Sequence, residues 1–149
     1  MSEHHTARMG LPYLAAGQMQ KHVTLNEALT RLDALVQTAV VSRTTATQPG
    51  APADGTLWIL PGPDWSTRPA GALMRAEGGG WTMVEAGDGL VALILDAAEV
   101  LMRHGGSWVE LGARLGVVQN LARLGVGTTA DGVNPFAARL NAALWTALE

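Results

Sequence analysis

The sequence predicts an α+β protein: an N-terminal extended arm and a long helix, a small antiparallel β-sheet or partial barrel with two tryptophan hairpins, and a C-terminal helix. Three observations carry this expectation. Leu25, Leu29, Leu32, Val36 and Ala39 recur at alternating four- and three-residue steps, the spacing of a helical seam. The run from Ala72 to Glu85 is echoed from Val100 to Glu110, each copy reading as strand, glycine turn and a return strand opened by tryptophan. Near the end, Phe136, Leu140, Leu144 and Leu148 repeat every four residues.

Residues 1–22 are the arm. The first ten lack any apolar period, and Pro12 and Gly17 favour extended or turned backbone from Leu11 to His22. The long helix falls within residues 23–43. Thr24 and Glu27 have the S/T-x-x-E spacing of a capping box, in which each side chain takes the other's backbone amide, and the polar run from Ser42 to Thr45 ends the helix. A linker with Pro49 and Pro52 follows.

Residues 55–111 form the β region. It opens on Leu57-Trp58-Ile59-Leu60 and breaks at Pro61-Gly62-Pro63. Glycines at 78–80 and 105–106 supply the positive φ that tight hairpins demand. Between the copies, Leu90 to Leu95 is continuously apolar and suits a central strand buried on both faces. Residues 112–149 are the C-terminal segment. Leu115, Val118, Leu121 and Leu124 fit a helical stripe that Gly112, Gly116 and Gly125 weaken, so strand and loop stay open there. The terminal helix starts at Asn134, a good N-cap, with Pro135 at a position that tolerates proline.

A chain of 149 residues is one domain by length and buries roughly two thirds of its unfolded surface. It has no cysteine, which excludes disulfides and thiolate metal sites. With a formal charge of −3 and no basic block, it is not expected to bind nucleic acid, and no run is long and apolar enough to insert in a membrane. Only 15% of residues are charged against 48% apolar, which favours a chain that hides surface in a homo-oligomer. Without a signal-peptide pattern, synthesis in the cytoplasm is expected.

Catalytic and metal chemistry find little support. His4, His5, His22 and His104 lack a second ligand at metal-site spacing, so neither metal nor cofactor is expected. Glu77, Glu85, Asp88, Asp96, Glu99 and Glu110 could supply a glycosidase pair, but most flank glycine turns, where acids satisfy turn amides. Ser42, Ser66 and Ser107 lack a nucleophile-elbow context, and Asp131-Gly132 lacks the alternating acids of a calcium loop. Among Trp58, Trp65, Trp81, Trp108 and Trp145, the repeat positions favour packing; Trp65, between Asp64 and Ser66, is the one expected to be exposed and is the possible glycan contact. Leu25, Leu29, Leu32, Val36, Phe136, Leu140 and Leu144 are expected to pack within the subunit or against a neighbour.

The stretch from Leu11 to Leu29, Leu-Pro-Tyr-Leu-Ala-Ala-Gly-Gln-Met-Gln-Lys-His-Val-Thr-Leu-Asn-Glu-Ala-Leu, with Leu32 to Val36, resembles the opening of a domain of unknown function found in fibre and spike proteins of prophages and gene transfer agents. The tryptophan hairpins and the segment from Gly125 to Trp145 are similar more loosely. The resemblance implies a virion component without enzymatic activity. Because longer relatives carry further segments, it implies a base or adaptor that joins a separate fibre protein to capsid or tail proteins, as the head-spike base of a gene transfer agent does. Leu11, Pro12, Tyr13, Gln18, Gln20, Lys21 and His22 are then capsid-anchor candidates, and a pentameric ring is preferred over a trimeric one. The competing readings are a carbohydrate-binding module that recognises the host capsule through Trp65 or the hairpin tips, and a glycan-degrading enzyme that uses a pair of sheet carboxylates.

Overall fold

The structure, a computed structural model, describes residues 4–16 and 21–143. The chain divides into two units, residues 1–114 and 115–149. The first is mostly β with one short helix, so the expected α+β architecture with a long helix at each end is corrected. Helix α1 spans Lys21–Leu35, and β1, Thr38–Val40, occupies what was expected to be its last turn. Thr38 explains the early stop: its hydroxyl donates back to the carbonyls of Ala34 (3.2 Å) and Leu35 (3.1 Å) after a left-handed turn at Gln37. The β-branched Thr38 and Val40 then favour extended backbone. Thr24 lies inside the helix and is not its cap.

Six more strands complete one sheet: β2 Leu57–Ile59, β3 Leu73–Glu77, β4 Gly80–Val84, β5 Val91–Ile94, β6 Glu99–His104 and β7 Ser107–Glu110. Their order is β4-β3-β2-β1-β5-β6-β7. The sheet is mixed, because β1 runs parallel to both β2 and β5 while every other pair is antiparallel. Two similar halves therefore flank β1, each an incoming strand followed by a tryptophan hairpin. β1 is the central strand; β5 buries only Ala92 and Ile94 and exposes Val91 and Leu93, contrary to the expectation of burial on both faces.

The halves match with a one-residue offset from the sequence repeat. The turns Gly78-Gly79 and Gly105-Gly106 superpose the hairpins, so Trp81 corresponds to Trp108 but Arg75 corresponds to Met102. The two halves leave β1 on opposite sides with their first strands parallel to it, so superposing one half on the other turns the sheet over and equivalent positions lie on opposite faces. Arg75 accordingly faces inward beneath α1, Met102 faces outward, Trp81 lies on the outer face and Trp108 on the inner one. The inner core gathers Val40, Leu57, Ile59, Leu73, Val84, Ala92, Ile94 and Leu101 under Ala34 of the helix. The outer core exists only on the first half, where Trp58, Leu60, Trp65, Ala72 and Met74 meet.

The seam predicted for α1 is not what the helix buries. Leu25 and Leu32 are 44% and 49% exposed, and Leu29 and Val36 are half-buried, whereas Asp33 is buried. The face of α1 that carries Asn26, Thr30 and Asp33 is tied to the arm. Asn26 Oδ1 accepts from the amide of Leu14 (2.9 Å) while its Nδ2 donates to the Leu14 carbonyl (3.1 Å). Tyr13 Oη meets Thr30 Oγ1 at 2.6 Å. The amides of Arg8 and Met9 donate to the Asp33 carboxylate at 3.2 and 2.7 Å, and Arg75 reaches it at 3.4 Å from the sheet. The Arg8 guanidinium donates to the carbonyls of Asp33, Val36 and Gln37 at the end of the helix. A cation there satisfies orphan carbonyls and complements the helix dipole. Hydrogen bonds to charged groups contribute about 1.5–3 kcal/mol each, enough to outweigh leaving two leucines partly wet.

Residues 4–13 are ordered as a small hairpin, with Thr6 and Leu11 exchanging hydrogen bonds and His5 bridging Pro12. Gly55 admits it: its φ is +80°, and a Cβ there would lie 2.6 Å from the Ala7 methyl carbon.

In the second unit, β8 Leu124–Val126 pairs in parallel with β9 Phe136–Ala138. The expected helix from Asn134 is corrected over residues 134–143: Asp131 Oδ1 accepts from the amides of Val133 (2.8 Å) and Asn134 (2.7 Å), forming a turn that leads into β9. No described residue of this unit is buried; Phe136 is 56% and Leu140 53% exposed, and Leu144 lies outside the described residues. Asp33→Ala is expected to lower the unfolding free energy by about 3–5 kcal/mol in urea titration, because it removes the buried partner of Arg75, which keeps only Glu77, and leaves the amides of Arg8 and Met9 without their acceptor. Leu32→Asp, on the exposed side of the same helix, is expected to change it by less than about 1 kcal/mol.

Candidate functional site

Two surface features stand out in the first unit. On its outer face the two half-sheets differ. The connection from β2 to β3, residues 60–72, folds back over β2–β4 and inserts Trp65, which is only 5% exposed. Trp65 packs edge-on against Trp81 (4.7 Å between ring centroids) and donates its indole N–H to the Ala46 carbonyl at 3.0 Å. Trp65, Ser66 and Thr67 all take positive φ to make this turn, a strain of roughly 1–3 kcal/mol per residue that the buried indole offsets. The expected exposure of Trp65 is thus corrected.

The corresponding connection from β5 to β6 is residues 95–98, too short to cover anything. Val91, Leu93, Leu95 and Val100 are therefore 40–54% exposed, with Met102 and Val109 half-buried beside them. Adjacent exposed aliphatic side chains on a sheet face form the kind of contiguous patch that marks an interaction surface.

A second feature lies between α1 and β4. A cleft of about 870 Å³ is lined from the helix by His22, Val23, Glu27 and Arg31 and from the strand by Thr82, Met83 and Glu85. Its floor includes Arg75, whose side chain is 2% exposed and paired with Asp33 and Glu77; Arg75 Nε and His22 Nδ1 are buried without a hydrogen-bond partner among the described residues.

The anchor candidates belong largely to the chain's own architecture. Tyr13 is held on Thr30, Leu11 closes the arm hairpin, Pro12 bridges His5, and Lys21 and His22 open α1; of these Pro12 and Lys21 are exposed. Gln18 and Gln20 lie outside the described residues. The acids are engaged with guanidinium groups and turn amides: Glu85 with Arg31 (3.0 Å), Glu99 with Arg43 (2.7 Å), Glu77 with Arg75, and Asp88 with the amides of Gly105 (2.8 Å) and Gly106 (3.3 Å). Asp54 caps the other hairpin tip in the same way, through Gly78 at 2.8 Å. Among the described residues, no group of three or more His, Asp or Glu is placed to hold a metal ion, and no helix is long and apolar enough to cross a membrane.

Fold and surfaces together describe a mostly β domain with one short helix, a half-covered sheet and an adjacent cleft. Residues 25–109 match the family described as Protein of unknown function (DUF2793), and the chain belongs to that family. No curated protein matches the chain.

The hairpin caps make a pH prediction. The backbone amides of Gly105 and then Gly106 hold the Asp88 carboxyl below the ordinary aspartate range. A carboxylate with a depressed folded pKa contributes stability that is fully present above its unfolded value, near 3.9, and is lost as pH falls through the folded value. Carboxyl NMR titration is expected to place the Asp88 midpoint below 3.9. Amide exchange at Gly105 and Gly106 is expected to lose protection over the same range, and Asp88→Asn to remove that pH dependence.

Proposed function

We propose that this chain is a non-catalytic structural component of a phage-like particle: the base or adaptor of a spike or fibre, of the gene-transfer-agent kind, that supports attachment to the host surface. The observation that carries the reading is the open outer face of β5–β7, an apolar surface that the chain's own connection is too short to cover. The C-terminal unit adds to it, since Val117, Val133 and Phe136 are more than half exposed and its described residues form no core. A chain with this much uncovered apolar surface suits a closed ring in which every subunit buries the same patches. The resemblance of the arm and helix to fibre and spike proteins supplies the biological setting.

In this reading the arm is part of the fold, and contact with capsid or tail proteins falls to the exposed side of the arm and helix, where Pro12, Lys21, Val23, Leu25 and Leu32 lie. A pentamer remains preferred over a trimer, and a separate fibre protein is the second partner. Light scattering of the purified native protein is expected to give five subunits; three would favour a fibre adaptor. Leu93→Asp together with Val100→Asp is expected to reduce the mass to a monomer while leaving the β-sheet circular dichroism intact. Mass spectrometry of particles purified from the producing cells is expected to find the chain; particles lacking it would overturn the particle role.

A further inference from the structure

The cleft beside α1 runs along an open sheet edge. β4 is the outermost strand on its side, and its hydrogen-bonding pattern follows from the turn: Glu77 and Gly80 flank a two-residue loop and form a bonded pair, so Thr82 and Val84 also turn their backbone groups to β3. The bonds between Ala76 and both Gly55 and Thr56 fit this alternation, since they turn Ala76 away from β4 towards β2. The backbone N–H and C=O of Trp81 and Met83 therefore point outward, and among the described residues no backbone hydrogen bond reaches them. Natural edges are usually blunted by lysine, proline or a bulge. β4, with the sequence Gly-Trp-Thr-Met-Val, has neither lysine nor proline and pairs with β3 in unbroken register.

The groove in front of this edge has the dimensions and charge of a peptide site. Thr82 to Glu85 give about 13 Å of strand, and His22 to Arg31 give about 13 Å of facing helix, room for about four extended residues. Val23, Met83 and Val84 supply apolar wall. The lining carries three carboxylates, Glu27, Glu77 and Glu85, and two guanidinium groups, Arg31 and Arg75. Both guanidinium groups are already paired within the chain, Arg31 with Glu85 and Arg75 with Asp33 and Glu77. The unmatched charge is negative.

We propose that the groove receives an extended peptide segment of a partner protein, added as a strand to the free edge of β4 and carrying a lysine or arginine towards Glu27. Main-chain hydrogen bonds to Trp81 and Met83 give such a complex its affinity, and the side-chain positions that alternate into the groove give its specificity. The proposal concerns the class of ligand and stands whether or not the partner belongs to a particle.

The test is selection of a random eight-residue peptide display library on the immobilised full chain, followed by affinity measurement of the enriched peptides. Proline is tolerated on an edge strand where its missing N–H faces outward. Met83→Pro should therefore fold, as circular dichroism will report, and lose at least ten-fold in affinity, while Met83→Ala retains binding. Glu27→Gln should weaken binding several-fold, and the enriched peptides should share a basic residue. Enrichment of no peptide, equal binding to the Met83→Pro protein, or enriched peptides without basic residues would each overturn the proposal. So would a native oligomer that Met83→Pro alone dissociates, since the edge would then be filled by a second copy.

Discussion

Asp33 is the point on which arm, helix and sheet all close. Its buried carboxylate accepts two backbone amides from the arm and faces Arg75 from β3, and its carbonyl accepts from the Arg8 guanidinium. A buried carboxylate is costly unless its lone pairs are met and its charge is compensated. That requirement fixes the helix over β3, the arm across the helix, and the face of β3 that turns inward. The apolar seam of α1 is left outside because the polar side holds more, and sharper, interactions.

The inward Arg75 has a further consequence. The two hairpins are written almost alike, yet they extend to opposite sides of β1, so equivalent positions face opposite ways and Arg75 lies beneath the helix while Met102 lies on the outside. The same reversal puts Trp81 into the outer core with Trp58 and Trp65, and Trp108 on the inner face, where its indole donates to the Gly71 carbonyl at 2.9 Å and Arg103 lies over its ring. A near-repeat thus produces two unlike half-sheets, one covered by its own connection and one left open. The asymmetry of loop length, residues 60–72 against 95–98, is what leaves one half of the outer face uncovered.

In the proposed reading, function rests on faces and edges rather than on a reacting group. Of the acids that invited a catalytic reading, Asp88 caps a hairpin and Glu77, Glu85 and Glu99 are ion-pair partners. The open half-sheet and the cleft beside β4 lie on different elements, the first on β5–β7 and the second between α1 and β4, so the unit can engage two neighbours without either contact occupying the other. That arrangement suits an adaptor, whose work is to hold one protein to another.

Much of the architecture was legible in local pattern. The glycine hairpins with their tryptophans, the start of β2 at Leu57 and a helix in the first third are set by φ requirements and apolar period, which act within a few residues. Where tertiary partners decide, local pattern misleads. The seam of Leu25, Leu29, Leu32 and Val36 satisfies a helix period, but which side of a helix is buried depends on what lies opposite, and opposite Asp33 lie Arg75 from 42 positions on and the arm from 25 positions back. The tail around Phe136 has a helical spacing that the Asp131 turn overrides. Trp65 sits in a polar, proline-flanked stretch that reads as exposed, and only the return of its loop over Trp58 and Trp81 takes it inside. The sequence by itself determined the hairpins, the lack of thiol chemistry and the apolar excess, because these follow from residue type and near neighbours. The tertiary structure alone decided which faces are dry, since burial is a property of two surfaces brought together from distant parts of the chain.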